Sequence, residues 1–279
     1  MAQALESGRE AQSSLAMFWF FALTEDSTAF RQYAEMLMVA VHTARKFTSL
    51  VPHFIYDGSD NDFTAWLRRH DVRIIRHRSL FRDSLAELGR QKGNPHFEAA
   101  LSGAFSRVEL PEIVARLGGA DRVLYTDCDV IFADEVVPEL NRNPCRYFAV
   151  APEGVQDDYV NMNTGVMLMN PARLRETLPK FRAYIARNLA ALEKESWDEA
   201  AYRWFYRDGN GPLWDRLRPE LNWKPYWGEC AEAKIIHFHG PKPYQRDHIE
   251  STWPELKPYT GGAYRAVVER WSELLQECR

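Results

Sequence analysis

Two aspartates one residue apart, Asp127 and Asp129, close a short apolar run, Arg122–Thr126. In an extended segment side chains alternate, so positions i and i+2 face the same way. A carboxylate pair at the carboxyl end of a strand stands where open α/β sheets bind their ligands. Its oxygens suit a hard divalent ion, Mn²⁺ or Mg²⁺, which shares its remaining positions with water and phosphate. A second D-x-D, Asp60-Asn61-Asp62, follows Gly58 and Ser59 and reads as a surface turn. A further cluster lies at 235–244, where an apolar run ends in His237, Gly240 permits close backbone approach and Lys242 carries a fixed charge. A neutral imidazole can complete a metal site that two carboxylates begin, and a lysine can hold a phosphate as a point charge. On a strand, His239 shares the face of His237. Asn163 and Thr164 can hydrogen-bond sugar or ribose hydroxyls, although a plain turn into the following strand accounts for them equally well. Asp198 and Glu199 open an aromatic-rich helix, either as acids that favour its dipole or as a carboxylate pair beside a reacting sugar carbon.

The elements that must position these groups alternate along the chain. The run 16–23 is short, continuous and aromatic, as a strand buried on both faces requires. A turn at 24–28 leads into a helix ending near Lys46, with Tyr33, Met36, Leu37, Ala40 and Val41 at helical spacing. Strands at 51–56 and 72–75 flank a helix at 62–70. This alternation predicts a mostly parallel, Rossmann-like α/β sheet covered by helices. The stretch 78–95 is charged and expected to be mobile. A helix over about 96–110 follows, and Pro111 is expected to open another. Further strands are expected at 122–126, 147–151, 166–169 and 234–238, with helices near 172–190 and 196–207. The C-terminal stripe from Tyr264 to Cys278 has a 3.6-residue period and predicts a helix packed on the domain. With Lys257, Arg265 and Arg270 among its aromatics, it also allows an interfacial segment resting on a membrane. The expected layout is a polar tail at 1–15, one α/β domain at 16–249 and a helical appendage at 250–279.

Composition bounds the partners. The chain has 279 residues, of which 46% are apolar, 27% charged and 13% aromatic, so a disordered, collagen-like or coiled-coil chain is excluded. With 35 basic against 39 acidic residues the net charge is −4, which offers no field for nucleic acid. Cys128, Cys145, Cys230 and Cys278 are far apart and form no C-x-x-C pair, which points to a reducing, cytoplasmic setting. The longest apolar run has eight residues, against the roughly 20 that span a bilayer.

The run Leu124–Val130, then Asn163–Asn170, then His237–Pro243, in this order, resembles the family-8 retaining glycosyltransferases, and the likeness covers about 16–245. It implies the GT-A fold, a UDP-hexose donor and Mn²⁺. By position it implies Asp127, Asp129 and His237 as metal ligands, with Lys242 and Gly240 at the diphosphate. Asn163 and Thr164 would touch the donor sugar, and Arg107, Cys128, Ala22 and Thr24 would belong to the donor site. The chain departs from the family after its first strand, where Thr24 precedes Glu25 and Asp26. It departs again where the family's Asp-Gln-Asp stands as Asp198-Glu199-Ala200. The acid at 199 makes double displacement available, with Asp198 on the sugar hydroxyls. The implied acceptor is a saccharide or glycolipid. The rival readings are a metal-dependent nucleotidyltransferase or pyrophosphatase, and a non-catalytic sugar-nucleotide-binding module on the same fold.

Overall fold

A computed structural model describes residues 16–93 and 97–279, with 97–102 as backbone alone. The expected tail at 1–15 lies outside the described residues. The strands are β1 (Met17–Thr24), β2 (Leu50–Asp57), β3 (Arg73–Arg76), β4 (Val123–Thr126), β5 (Val130–Phe132), β6 (Phe148–Pro152) and β7 (Met162–Met169). Short strands β8 (Arg207–Asp208), β9 (Gly211–Pro212), β10 (Asp215–Arg216) and β11 (Ile235–His237) follow. The helices are α1 (Phe30–Phe47), α2 (Asp62–Arg69), α3 (Arg82–Gln91), α4 (Phe97–Arg116), α5 (Val137–Arg142), α6 (Pro171–Leu192), α7 (Asp198–Phe205), α8 (Ile249–Thr252) and α9 (Tyr264–Cys278).

Seven strands form one sheet in the order β10-β6-β7-β4-β1-β2-β3. All its pairings are parallel except those of β7, which runs antiparallel to both β4 and β6. This is the GT-A α/β architecture, with a mixed sheet rather than a uniform one. Alternation along β1 divides the core. Trp19, Phe21 and Leu23 face a layer with Phe54, Leu37 and Trp271, while Phe20 and Ala22 face one with Ile55, Phe105 and Tyr125. Trp19, Phe20 and Phe21 are fully buried, each contributing on the order of 1.5–3 kcal/mol of burial.

Two expectations are corrected. The charged stretch at 78–95, of which 94–95 lie outside the described residues, holds an unexpected helix, α3, whose Leu85 and Leu88 are buried with Phe81 in the layer that contains Phe105. The charged residues occupy the outer face and mask this narrow apolar stripe. Pro111 opens no new helix; α4 passes through it. A proline inside a helix frees the carbonyl four residues back, and here the freed Arg107 carbonyl accepts the Tyr202 hydroxyl at 3.4 Å.

The C-terminal stripe faces inward. Tyr264, Val268, Trp271, Leu274, Leu275 and Cys278 are buried in the same layer as α1. The Trp66 indole donates to the Cys278 carbonyl, and Glu277 receives His42 and Lys46 of α1. The apolar face that a membrane would need is therefore spent on the core. No helix among the described residues is long and apolar enough to cross a membrane. Replacing Trp271 with alanine is expected to cost about 3–5 kcal/mol, the usual range for emptying a buried tryptophan site. A urea titration checks this, and a loss below about 1 kcal/mol would show that α9 lies outside the core.

Candidate functional site

The site grows from three strand ends. β1 and β4 run parallel and finish at Thr24 and Thr126, while antiparallel β7 starts on the same edge with Met162, Asn163 and Thr164. The strand order reverses between β1 and β4, the position where such sheets open a crevice. After β4 the chain passes through Asp127, Cys128 and Asp129 into β5, which β11 joins in antiparallel register, His237 opposite Val130. The Phe238 amide then donates to the Asp129 carbonyl at 2.9 Å, and the Asp127 amide to the Gly165 carbonyl at 2.8 Å. Residues far apart in the chain are thereby fixed side by side by backbone pairing alone.

Asp127, Asp129 and His237 each offer one donor atom, and these atoms lie within 4.8 Å of one another. His237 Nε2 is 3.4 Å from Asp129 Oδ1 and 3.9 Å from Asp127 Oδ2. Donors bound to one cation at about 2.0–2.2 Å stand roughly 3–4.4 Å apart, and both imidazole–carboxylate distances fall in that range, so the set could hold a divalent ion. Two carboxylates with one imidazole suit Mn²⁺ at least as well as Mg²⁺. Burial works against the charge of Asp129, but Lys242 and His237 outweigh it and hold the carboxyl well below the ordinary range. Lys242 Nζ lies 2.5 Å from Asp129 Oδ2 and donates to the Phe238 carbonyl at 2.7 Å. Gly165 makes room for the imidazole, since a Cβ there would stand 2.1 Å from His237 Cε1.

Asp198 and Glu199, both buried, line the same cleft of about 500 Å³. Trp197, just before them, is forced to φ +53°, which turns the chain sharply into α7 and aims the acids inward. Asp198 is 3.1 Å from Arg107 Nε and 3.4 Å from the Thr164 hydroxyl. Burial lifts its pKa to about 6 against the pull of Arg107. Glu199 accepts from Arg203 at 2.7 Å, Asn163 Nδ2 at 3.0 Å and the Thr164 amide at 3.3 Å. Burial and the nearby Glu153 push it up to about 8, with Arg203 opposing.

The remaining expected residues take distinct places. Ala22, Thr24 and Cys128 line the cleft, and the Cys128 thiol donates to the Ala22 carbonyl at 3.2 Å. Glu25 and Asp26 turn away from it, Glu25 to the Ser59 amide and Asn61, Asp26 to Arg82. That end of the cleft is lined by Thr24, Ser27, Thr28 and Ala29. Arg107 sits under the site, buried and bonded to Asp127, Asp198 and the Thr164 carbonyl. Gly240 does not border the cleft; at φ +90° it makes the turn before Lys242. Asp60 is a surface acid paired with Arg68 and Arg76.

Sequence reasoning left several site residues without a role. Glu153 receives Arg203 at 3.0 Å and faces His239 at 3.5 Å, which hold its pKa below the usual range. Asn222 bonds both His237 and Asn163. Lys224 donates to the Pro152 carbonyl, lies over the Trp227 ring at 4.6 Å and is lowered by burial to about 7. The one signal in the sequence was a polar residue, Asn222, set between the apolar Leu221 and Trp223.

No protein-family model and no curated protein matches the chain. Solved structures do match, at low sequence identity. The galactosyltransferase LgtC, in complex with donor and acceptor sugar analogs, matches with a TM-score of 0.62 and 19% identity over 94% of this chain and 96% of its own. An active-site glutamine-to-glutamate variant of LgtC gives a TM-score of 0.60 at 19% identity, over the same shares of both chains. The apo glycosyltransferase GlyE of Streptococcus pneumoniae TIGR4 gives 0.61 at 15% identity, over 93% of this chain and 64% of that one. Mouse xyloside xylosyltransferase 1 gives 0.52 at 15% identity, over 89% and 96%. The likeness establishes the fold.

Two outcomes follow from the geometry. Replacing Gly165 with alanine displaces the His237 ring, so the rise in melting temperature expected of the wild type with Mn²⁺ should largely vanish while far-UV circular dichroism stays unchanged. An undiminished Mn²⁺ response would remove the imidazole from the ligand set. The second outcome concerns pH. A carboxyl whose folded pKa is raised to about 8 favours folding fully below its unfolded value of about 4.3, and loses that contribution as pH climbs through 8. Glu199→Gln removes the titration. Its urea midpoint should therefore gain on the wild type between about pH 5 and pH 8, and keep a constant offset from it above about pH 9. A pH-independent difference would place the Glu199 pKa in the normal range.

Proposed function

We propose that the protein is a metal-dependent retaining glycosyltransferase, similar to family 8, that moves a hexose from a UDP-sugar to a hydroxyl of a saccharide or glycolipid acceptor. The observation that carries this reading is the meeting of Asp127, Asp129 and His237 in a cleft that Asp198 and Glu199 also line. The fold shared with LgtC, and the motifs that resemble family 8, support the same assignment.

A divalent cation held by Asp127, Asp129 and His237 would supply positive charge where the diphosphate leaves. Lys242, beside Asp129, offers a second positive charge to that group. Ser27 and Thr28, with Thr24 beside them, line the part of the cleft that would take the nucleoside. Asp198 and Thr164 bind sugar hydroxyls. Glu199 is the nucleophile: one carboxylate oxygen bonds the anomeric carbon as the bond from that carbon to the phosphate oxygen breaks, its electron pair leaving with UDP. The acceptor oxygen then attacks from the vacated face and frees the Glu199 carboxylate, its proton passing to the diphosphate. Two inversions leave the anomeric configuration unchanged. Arg203, Asn163 and the Thr164 amide all donate to Glu199 and favour its ionised form, but burial and Glu153 hold its pKa at about 8, so attack gains strength as pH rises through that value.

The test is a panel of UDP- and GDP-hexoses incubated with Mn²⁺, with and without a chelator. Release of UDP that stops with the chelator supports the reading. Release of sugar phosphate would favour a nucleotidyltransferase or pyrophosphatase, and no stabilisation by UDP with Mn²⁺ would favour a non-catalytic module. Glu199→Gln should lower turnover by several orders of magnitude. Near-normal activity in that variant would assign departure and attack to one face of the sugar instead.

A further inference from the structure

One backbone amide fixes the polarity of the whole buried network. The Gly165 amide can only donate, and it points at Asn163 Oδ1 from 3.1 Å. Asn163 therefore presents its Nδ2 to Glu199 Oε2, at 3.0 Å. The same Asn163 Oδ1 lies 2.9 Å from Asn222 Nδ2, which must also donate. Asn222 is then left with its Oδ1 toward His237 Nδ1, 3.0 Å away. An amide oxygen only accepts, so Nδ1 must carry the imidazole proton. In the neutral ring this leaves the lone pair of Nε2 toward Asp127 and Asp129, where a cation shared with them would sit. Reversing any one amide sets donor against donor or acceptor against acceptor at its neighbour. Asn163, Asn222 and His237 are all buried, so water is not at hand to repair such a mismatch.

We infer that Asn222 is a positioning residue: it fixes the tautomer of His237 that leaves Nε2 free to bind a metal, and through Asn163 it ties that choice to the orientation of Glu199. The inference rests on the metal reading above and adds to it. Free imidazole carries its proton mainly on Nε2, the nitrogen a metal needs here, so an unassisted His237 would have to change tautomer before binding. Neither group is set alone, because the metal ligand and the sugar-side acid hang on the same two amides. Asn222 bonds His237 and Asn163 directly and acts on the bound metal and on Glu199 only through them.

The test compares the wild type with Asn222→Leu and Asn222→Asp, with thermal melting to verify that each variant folds. Long-range proton–nitrogen NMR on the metal-free protein near pH 9 reads which ring nitrogen of His237 is protonated, and calorimetry with Mn²⁺ alone reads the affinity. The wild type should show the proton on Nδ1. Asn222→Leu should move it to Nε2 and weaken Mn²⁺ binding by about 10–100-fold, the usual effect of losing a partner that orients a metal ligand. Asn222→Asp keeps an acceptor for Nδ1–H, so it should retain the Nδ1 tautomer and rescue the affinity. A wild-type proton on Nε2 overturns the inference even if Asn222→Leu fails to fold, and so does wild-type affinity in Asn222→Leu. A wild type that binds no Mn²⁺ overturns the metal reading instead, while the proton position still decides the role of Asn222.

Discussion

Asp129 is a carboxylate almost wholly removed from water, and the site depends on how that charge is met. A lone buried carboxylate costs several kcal/mol in desolvation. Here the Lys242 ammonium meets one oxygen and the His237 imidazole approaches the other. Lys242 is itself held along its length. Its amide donates to Gln245 Oε1, its ammonium to the Phe238 carbonyl, and its carbonyl accepts the Tyr264 hydroxyl at 3.1 Å. Tyr264 begins α9, so the C-terminal helix packed against α1 also helps position the cation beside Asp129. Core and cleft are in this sense one construction.

The β4–β7 and β5–β11 ladders do the long-range work. Antiparallel β7 is the irregular member of an otherwise parallel sheet, and that reversal brings its amino-terminal Asn163 and Thr164 to the edge where β1 and β4 end. The Pro111 bond missing from α4 is made good by Tyr202 of α7, the helix that also carries Asp198 and Glu199. The side chain of the same Arg107 reaches both Asp127 and Asp198. One residue thus joins Asp127 to Asp198 by its guanidinium, and ties α7 to α4 by its carbonyl.

Much of this was legible in the sequence because it is written in local pattern. The aromatic run of β1, the strand ends at Thr126 and His237, and the helical spacing of α1 and α9 each follow from periodicity. The carboxylate pair and the imidazole were readable by type and spacing, and all three meet. Elsewhere the physics was non-local. Nothing near Asn222 announces that its amide joins His237 to Asn163, because that role depends on the direction of a bond beginning at Gly165. Glu153 and Arg203 gain meaning only once β6 and α7 bring them together. The helix α3 was hidden by the charges on its outer face, and Pro111 misled because its usual meaning was overridden by a hydroxyl 91 positions further along.

The borders of the main sheet have a consequence of their own. On one side it finishes with β3, four residues long and bounded by Arg73 and Arg76; on the other with β10, only two residues. Open backbone on a sheet border is a template on which another polypeptide can add itself and start fibrous growth. Brief flanks studded with guanidinium groups give such a recruit little ladder to join and charges to confront. A chain with so apolar an interior is thereby able to stay dispersed when crowded.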